Sequence, residues 1–147
     1  MSTSADEARS GVEFASAPYC LDGEAAEAYR RAIHGPRRRR APGGIHDDDS
    51  AANKAGFVAP IAGGEQTLAV MTQLLVDHFG LRFLSGGRIE IAFVKPVLFG
   101  DTIVAHARIK TDTERSSDTH LELAIRVENQ RGENVLLGTA VVNASAA

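Results

Sequence analysis

The residues of this sequence that could do chemistry are concentrated between Ile45 and Thr67. This segment holds His46, a run of three aspartates from Asp47 to Asp49, and the pair Gly63-Gly64. Neither this pair nor Gly43-Gly44 matches a phosphate-binding loop, and the sequence has no HExxH or G-x-S-x-G motif. Because Cys20 is the single cysteine, neither an internal disulfide nor a cysteine-based metal site is expected.

The composition predicts one domain over residues 1–147, with 1–10 expected to be flexible because they are small and polar. The 147 residues are 44% hydrophobic, enough for a core, and a net charge of -3 gives no indication of nucleic-acid binding. We find no signal-peptide pattern and no apolar run of the roughly 18 residues needed to cross a bilayer. We therefore expect a cytoplasmic protein that binds no membrane.

Three helices are predicted around the candidate segment. Asp22 can cap a first helix that ends at Gly35-Pro36, and Asp48 can cap a short one that runs through Lys54. The strongest helix runs from about Glu65 to Phe79, and its apolar residues occupy more than one face. This pattern predicts a helix that is buried on most sides.

The second half of the chain reads as strands. Apolar and polar residues alternate over 89–93, 103–109 and 121–127, and a more continuous apolar run covers 135–142. A weaker strand is expected within 12–20. One nearly all-apolar helix followed by an antiparallel meander predicts the α+β class. A helix that hydrophobic must be covered by the sheet, so we expect a hot-dog fold, with the antiparallel sheet wrapped around one long central helix at about 65–79.

Two stretches carry a likeness to a known family. The first consists of Ile45-His46-Asp47-Asp48, Ala52, Gly56-Phe57, Pro60-Ile61-Ala62 and Gly64. The second consists of Phe93-Val94-Lys95-Pro96-Val97 and Gly100-Asp101. Together they resemble the MaoC-like family of (R)-specific enoyl-CoA hydratases and acyl dehydratases. The likeness covers residues 45–101 well and the last two strands loosely.

The resemblance implies a hot-dog fold and an active site in which an acyl thioester lies beside the long helix. His46 would act on a water molecule that is added to, or removed from, a double bond conjugated with the thioester. The backbone N–H of Gly64 would hold the thioester oxygen, where the helix dipole also favours negative charge. Phe57, Pro60, Ile61 and Gly63 would line the substrate pocket. No metal and no cofactor are implied.

The sequence departs from the family pattern at one important place. An aspartate normally stands five residues before the histidine, but Ala41 occupies that position here, and Gly43-Gly44 replace the usual Asn-Pro. Asp47, beside His46, or Glu65, in the first turn of the long helix, could supply the missing carboxylate. The negative charge of Glu65 is favourable at a helix N-terminus whatever its role.

These residues leave three functions open. The first is a hydratase or dehydratase of an acyl thioester on CoA or acyl carrier protein. The second is an isomerase or cyclase in the same pocket, and the third is a non-catalytic binding subunit. A homodimer is expected, because a hot-dog sheet leaves an unpaired strand edge. The run Arg37–Arg40 is interpreted as a solvated loop, or as a patch for the phosphates of an acyl carrier.

Overall fold

The computed structural model describes residues 11–36, 43–110 and 120–144. The chain begins with two short strands, β1 (Glu13–Ala15) and β2 (Tyr19–Leu21), so the weak prediction of one strand over 12–20 is realised as two. Helix α1 (Gly23–His34) follows. It begins as predicted, because the Asp22 carboxylate accepts the Ala25 N–H at 2.8 Å. Residues 1–10, the arginine run and Ala41 lie outside the described residues.

After α1, the described chain forms a short helix, a long helix and a second short helix before the main strands begin. Helix α2 (Asp49–Lys54) is capped by Asp48, whose carboxylate accepts the Ala51 N–H at 2.8 Å, as predicted. Helix α3 (Gly64–Phe79) confirms the long helix within one residue. A single-turn helix α4 (Leu81–Leu84) was not predicted from the sequence. It follows Gly80, whose φ of 52° lies in the left-handed region and lets the chain change direction.

The sheet is antiparallel throughout its described strands. Strands β3 (Arg88–Phe93), β4 (Asp101–Ile109), β5 (His120–Asn129) and β6 (Asn134–Asn143) confirm the predicted meander. The order is β1-β4-β5-β6-β3, and β2 also pairs with β4. Along β4 every second residue is buried, which is the alternation that the sequence showed. Strand β3 therefore lies at one edge, and β1 and β2 lie at the other.

The core lies between α3 and the sheet. Its helix side includes Met71, Leu74, Leu75 and Phe79, and its sheet side includes alternate residues of β4, β5 and β6. Within α3 only Glu65, Gln73 and Asp77 are exposed, and the other residues are buried or half-buried, so the helix is buried on most sides as expected. Leu68 and Val76 are half-buried and line an open groove. None of the helices in the described ranges is long and apolar enough to span a membrane.

Asp101 is buried at the start of β4 and holds the preceding loop in place. The residue is 4% exposed, and its carboxylate accepts hydrogen bonds from Leu98 N at 3.0 Å and Gln130 Nε2 at 2.7 Å. Arg131 adds a bidentate contact, at 2.9 and 3.1 Å. Burial raises the pKa of Asp101, but these hydrogen bonds together outweigh it, so the pKa lies below its ordinary value of 3.8.

The packing of α3 predicts how a charged residue on the buried face of this helix would change the stability of the fold. Leu75 is 0% exposed, so Leu75→Asp would bury an unpaired carboxylate and should lower the free energy of unfolding by several kcal/mol. Leu81 is 69% exposed, and Leu81→Asp is the matched control, expected to change stability by under about 0.5 kcal/mol. Denaturant unfolding measures both. Equal losses in the two variants would mean that α3 is not central to the core.

The Asp101 contacts predict how stability depends on pH. Because the folded-state pKa is lowered, the stabilisation is present above the unfolded value and is lost as the pH falls through the folded one. Asp101→Asn should therefore have a lower melting temperature at pH 7 and a smaller further loss between pH 5 and pH 2. Asp77→Asn, at an exposed position of α3, is the control. An unchanged acid dependence in Asp101→Asn would show that this carboxyl does not titrate with folding.

Candidate active site

His46 is carried by a tight turn that begins at Gly44. The Gly44 carbonyl accepts the N–H groups of Asp47 at 3.1 Å and Asp48 at 3.0 Å. In return, the Asp47 carboxylate accepts the Gly44 N–H at 2.8 Å. The turn is therefore closed in both directions. The Asp47 carboxylate thus binds the backbone of its own turn and forms no hydrogen bond with the His46 imidazole.

The His46 ring is fixed by the segment that leads into α3. Its Nδ1 atom lies 2.7 Å from the Ile61 carbonyl oxygen, and the Ile61 N–H donates back to Ile45 O at 3.0 Å. Because a carbonyl oxygen can only accept, the hydrogen bond requires a proton on Nδ1. In the neutral imidazole the other nitrogen, Nε2, is then left with a lone pair and can take a proton from a reactant.

The segment that holds His46 is itself tied to the loop before β4. Ile61 forms an isolated antiparallel bridge with Leu98, and Ala62 N donates to Val97 O at 2.8 Å. On the other side of this bridge, Phe99 N donates to Pro60 O at 2.8 Å. The contacts of Asp101 hold the same loop. Backbone hydrogen bonds thus connect the segment that holds the His46 imidazole to the loop that leads into the sheet.

The N-terminus of α3 is open. Gly63 is the N-cap residue, and no side chain caps this helix end. Within the described ranges the Gly64 N–H has no acceptor, so it is one of the free donors of a helix start. A Cβ on Gly64 would lie 2.9 Å from Cζ of Phe93, which shows that the aromatic ring rests against this glycine. A larger residue here would displace the ring or the helix.

Glu65 lies on the exposed side of the first turn of α3. Its carboxylate folds back over Gly63, since both oxygens are within 2.8 Å of where a Cβ of that glycine would be. The Glu65 carbonyl accepts the Tyr29 hydroxyl at 3.4 Å, which joins α1 to this helix end. Burial raises the pKa of Tyr29, and the negative charge of Glu65 raises it further.

The structure brings together only some of the residues predicted from the sequence. His46 is joined to Ile61, and Gly63, Gly64 and Glu65 follow directly along the chain. In residues 11–36, 43–110 and 120–144, no aspartate or glutamate forms an ion pair or a hydrogen bond with His46. Ile61 was expected to line the pocket, and its main observed contact with the site is made by its carbonyl group.

Phe57 and Pro60 were also expected to shape the pocket, and the structure places them on the approach to α3. Both are half-buried. The Phe57 N–H donates to Ala52 O at 2.9 Å, which closes α2, and the Pro60 carbonyl accepts from the loop before β4. Their backbone contacts fix the path of the chain between the two helices.

Two polar residues beside the site were missed as functional candidates. Tyr29 of α1 was not among the residues predicted to form the site. Gln66 is buried in the first turn of α3, and no acceptor for its Nε2 atom is found in the described part of the chain. A glutamine within an apolar helix was the available signal in the sequence.

An open groove runs along α3 away from Glu65. It has a volume of about 400 Å³. Its lining residues come from α1 and from the exposed side of α3: Tyr29, Glu65, Leu68, Ala69, Thr72, Gln73 and Val76. Glu65 is the one predicted site residue on its wall.

Known structures share the fold. The unliganded (R)-hydratase PhaJ1 of Pseudomonas aeruginosa is 21% identical, with a TM-score of 0.70 over 93% of this chain and 82% of that one. The HadBC (3R)-hydroxyacyl-ACP dehydratase complex of Mycobacterium tuberculosis is 19% identical, with a TM-score of 0.64 over 91% and 96%. Rv0216 of Mycobacterium tuberculosis, a double hot-dog protein, is 17% identical, with a TM-score of 0.68 over 97% and 44%. These likenesses confirm the predicted hot-dog fold.

The sequence comparison identifies the family. No curated protein sequence matches the chain. The profile of the MaoC like domain matches residues 44–130, more than half of the 147, and this range includes the His46 turn, α3 and strands β3 to β5. The chain belongs to the MaoC-like domain family.

Proposed function

We propose that this protein is a hydratase or dehydratase that adds or removes water at an α,β-unsaturated acyl thioester, carried on CoA or on an acyl carrier protein. The observation that carries this proposal is the hydrogen bond between His46 and Ile61. Ile61 stands three residues before the open start of α3, and its carbonyl orients the imidazole so that Nε2 can act as a base. Membership of the MaoC-like family supports this reaction class. Two structural neighbours, an (R)-hydratase and a (3R)-hydroxyacyl-ACP dehydratase, support it as well.

In the hydration direction, His46 Nε2 takes a proton from water while the water oxygen bonds to the β-carbon. The electrons of the double bond move toward the thioester oxygen, which gains negative charge. The Gly64 N–H donates to this oxygen, and the positive end of the α3 dipole stabilises it. The His46 imidazolium then gives its proton to the α-carbon, the electrons of the enolate form the new C–H bond, and the neutral imidazole is regenerated. Dehydration is the reverse.

We assign the missing carboxylate to Glu65 in preference to Asp47. The Asp47 carboxylate accepts the Gly44 N–H and closes the turn. The Glu65 carboxylate has no hydrogen-bond or ion-pair partner within the described ranges and lies over Gly63, at the helix end where the thioester is placed. It is free to position the water molecule that attacks the β-carbon. Phe57, Pro60, Ile61 and Gly63 would form the pocket around the acyl group.

One observation favours a second candidate. No carboxylate of the described ranges contacts His46, and a single base suffices for an isomerase that moves a proton from the α-carbon to the γ-carbon of a β,γ-unsaturated thioester. A hydration assay with crotonyl-CoA, extended to longer and cyclic enoyl thioesters, tests the first function. The same panel with the double bond at the β,γ position tests the second. Turnover of the second panel alone would select the isomerase.

Substitutions at His46 and Glu65 test the assignment of the site. His46→Ala should leave the fold intact and lower turnover about 100-fold or more, because general acid–base catalysis contributes at least that much. His34→Ala, at an exposed histidine at the end of α1, is the control and should keep full turnover. Glu65→Gln keeps the shape of the side chain and removes its charge.

If His46 and Glu65 act as a unit, the two single variants should lose similar activity, and the double variant should lose little more. If Glu65 serves only the helix dipole, Glu65→Gln should leave turnover almost unchanged. Full activity in both single variants would mean that the site is wrongly placed and that the family likeness concerns fold alone.

The exposed edge of β3 indicates how a dimer would form. Phe93 and Val94, at the end of this strand, are 53% and 47% exposed, and Leu137 of the neighbouring β6 is 39% exposed. Strand β3 has one partner, β6, so its outer backbone groups are unpaired within the described chain. An apolar, unpaired edge invites pairing with a second copy.

We therefore predict a two-fold dimer in which the β3 edges lie together. Sedimentation velocity at micromolar concentration should give a dimer for the native protein. Val94→Glu should shift it toward monomer, because two carboxylates would meet near the axis. Tyr19→Glu, which changes a 42% exposed apolar residue at the opposite edge, should leave the dimer intact. A monomeric native protein, or dissociation by Tyr19→Glu alone, would contradict this arrangement.

A further inference from the structure

Gln66 presents a buried amide that no hydrogen bond among residues 11–36, 43–110 and 120–144 explains. It is the third residue of α3 and is 7% exposed. Its Nε2 atom is inaccessible to solvent and has no acceptor within the described ranges. Buried polar groups in native proteins nearly always have a partner, and a donor left without one carries a penalty in folding free energy. The amide therefore requires an explanation outside its own fold.

The local structure supplies no role for this glutamine. With Gly63 as the N-cap, Gln66 stands at the third helical position, where a glutamine can reach back and accept the N-cap N–H. No such hydrogen bond between the Gln66 amide and Gly63 is present in the described part of the chain. A leucine would fill a similar volume and would leave no unpaired donor. Helix capping and packing thus both fail to account for the amide.

The position of Gln66 places it at the candidate site. Cα–Cβ bonds in a helix tilt toward its amino end, so the Cα–Cβ bond of Gln66, two residues after Gly64, is directed toward the start of α3. That end holds the free Gly64 N–H, and the preceding segment holds His46 through Ile61 O. Glu65 and Gln66 are neighbours in the same turn, one exposed and one buried. The start of α3 thus has a polar group toward solvent and another toward the core.

We propose that Gln66 Nε2 donates a hydrogen bond to an oxygen in the acyl group of the substrate, beyond the thioester. The inference rests on the proposed function. The carrier of the thioester must remain in solvent, so the part of the ligand that reaches the buried side of α3 is its acyl group. The thioester oxygen is bound by the Gly64 N–H, which leaves the Gln66 amide for a second acceptor. The preferred substrates therefore have a carbonyl, hydroxyl or ether oxygen in the acyl chain or ring.

The physical consequence is a preference among substrates. An alkyl chain offers no acceptor, so the Nε2 donor stays unpaired in its complex, whereas an oxygen-bearing chain satisfies it. Sites built to hydrogen-bond a substrate group discriminate against analogues that lack the group. For one neutral hydrogen bond we expect a difference of about tenfold or more in kcat/KM.

The experiment compares enoyl-CoA thioesters of equal length. One is a straight-chain trans-2-enoyl-CoA, and the others have an ether oxygen in place of each methylene beyond the allylic carbon in turn. The native protein should prefer at least one ether analogue. In Gln66→Leu, the ratio of kcat/KM for that analogue to kcat/KM for the alkyl substrate should fall about tenfold or more. The melting temperature of the ligand-free protein should rise, because the unpaired donor is removed.

Two further variants complete the design. Gln66→Met offers a flexible side chain of similar length should the leucine variant fold poorly, and it should show the same loss of preference. Asn134→Leu is the control, since it removes an exposed amide at the start of β6 and should leave the ratio unchanged.

The failures of the two proposals are distinguishable. An active native protein whose substrate ratio is the same in Gln66→Leu and Gln66→Met would overturn the role of Gln66 alone. Equal losses on ether and alkyl substrates would also overturn it, because that is the behaviour of a donor to the thioester oxygen. A native protein that turns over no enoyl thioester would overturn the proposed function itself, and this inference with it.

Discussion

The hydrogen bond between His46 Nδ1 and the Ile61 carbonyl, 2.7 Å long, is the interaction on which the geometry of the candidate site depends. It sets the tautomer of the imidazole, since the carbonyl requires a proton on Nδ1. It also joins two loops that are distant in sequence, the turn from Gly44 to Asp47 and the entry to α3. The reciprocal bond from Ile61 N to Ile45 O makes this a two-point attachment. One backbone segment thus orients the imidazole that we propose as the base and leads into the helix that carries the proposed oxyanion donor.

The rigidity of this attachment comes from the sheet. Residues 60–62 pair with residues 97–99 through backbone hydrogen bonds, and the buried Asp101 carboxylate holds the second segment in place. The Asp101–Arg131 contact lies at the far end of this series of contacts and has no part in the chemistry. Two residue pairs of the second motif therefore have a structural role, Pro96-Val97 and Gly100-Asp101. They build the support against which the histidine loop is held.

The sequence was sufficient for the elements and their caps, because these depend on local patterns. The alternation along β4, the caps at Asp22 and Asp48, and the start of α3 were all predicted from neighbouring residues. Helix α4 was missed because four residues are too few to show a period. Which apolar residues of α3 are fully buried was not predictable, since the half-buried Leu68 and Val76 are as apolar as the buried Leu74 and Leu75. The burial of Gln66 is decided by tertiary packing alone.

The motif predicted which residues would lie near one another at the candidate site, but it did not predict their contacts. His46, Gly64 and Glu65 were expected together, and the chain places them at one loop–helix junction. The contact that orients His46 was not foreseen, because a backbone carbonyl leaves no trace in the residue types. Asp47 could not be distinguished from Glu65 by sequence, since only the structure shows that the first carboxylate is bound to Gly44.

The central claim is that His46 presents a free, basic Nε2 to the reactant because Ile61 holds its Nδ1–H. The most direct test is long-range ¹H–¹⁵N NMR of the imidazole in the ligand-free protein near neutral pH, with His46 assigned through His46→Ala. The account predicts the tautomer with the proton on Nδ1 and an unprotonated Nε2 whose chemical shift changes when an unreactive acyl thioester binds. A His46 that is protonated on Nε2 only would contradict the account, because its imidazole could then neither bond to the Ile61 carbonyl nor accept a proton from water at Nε2.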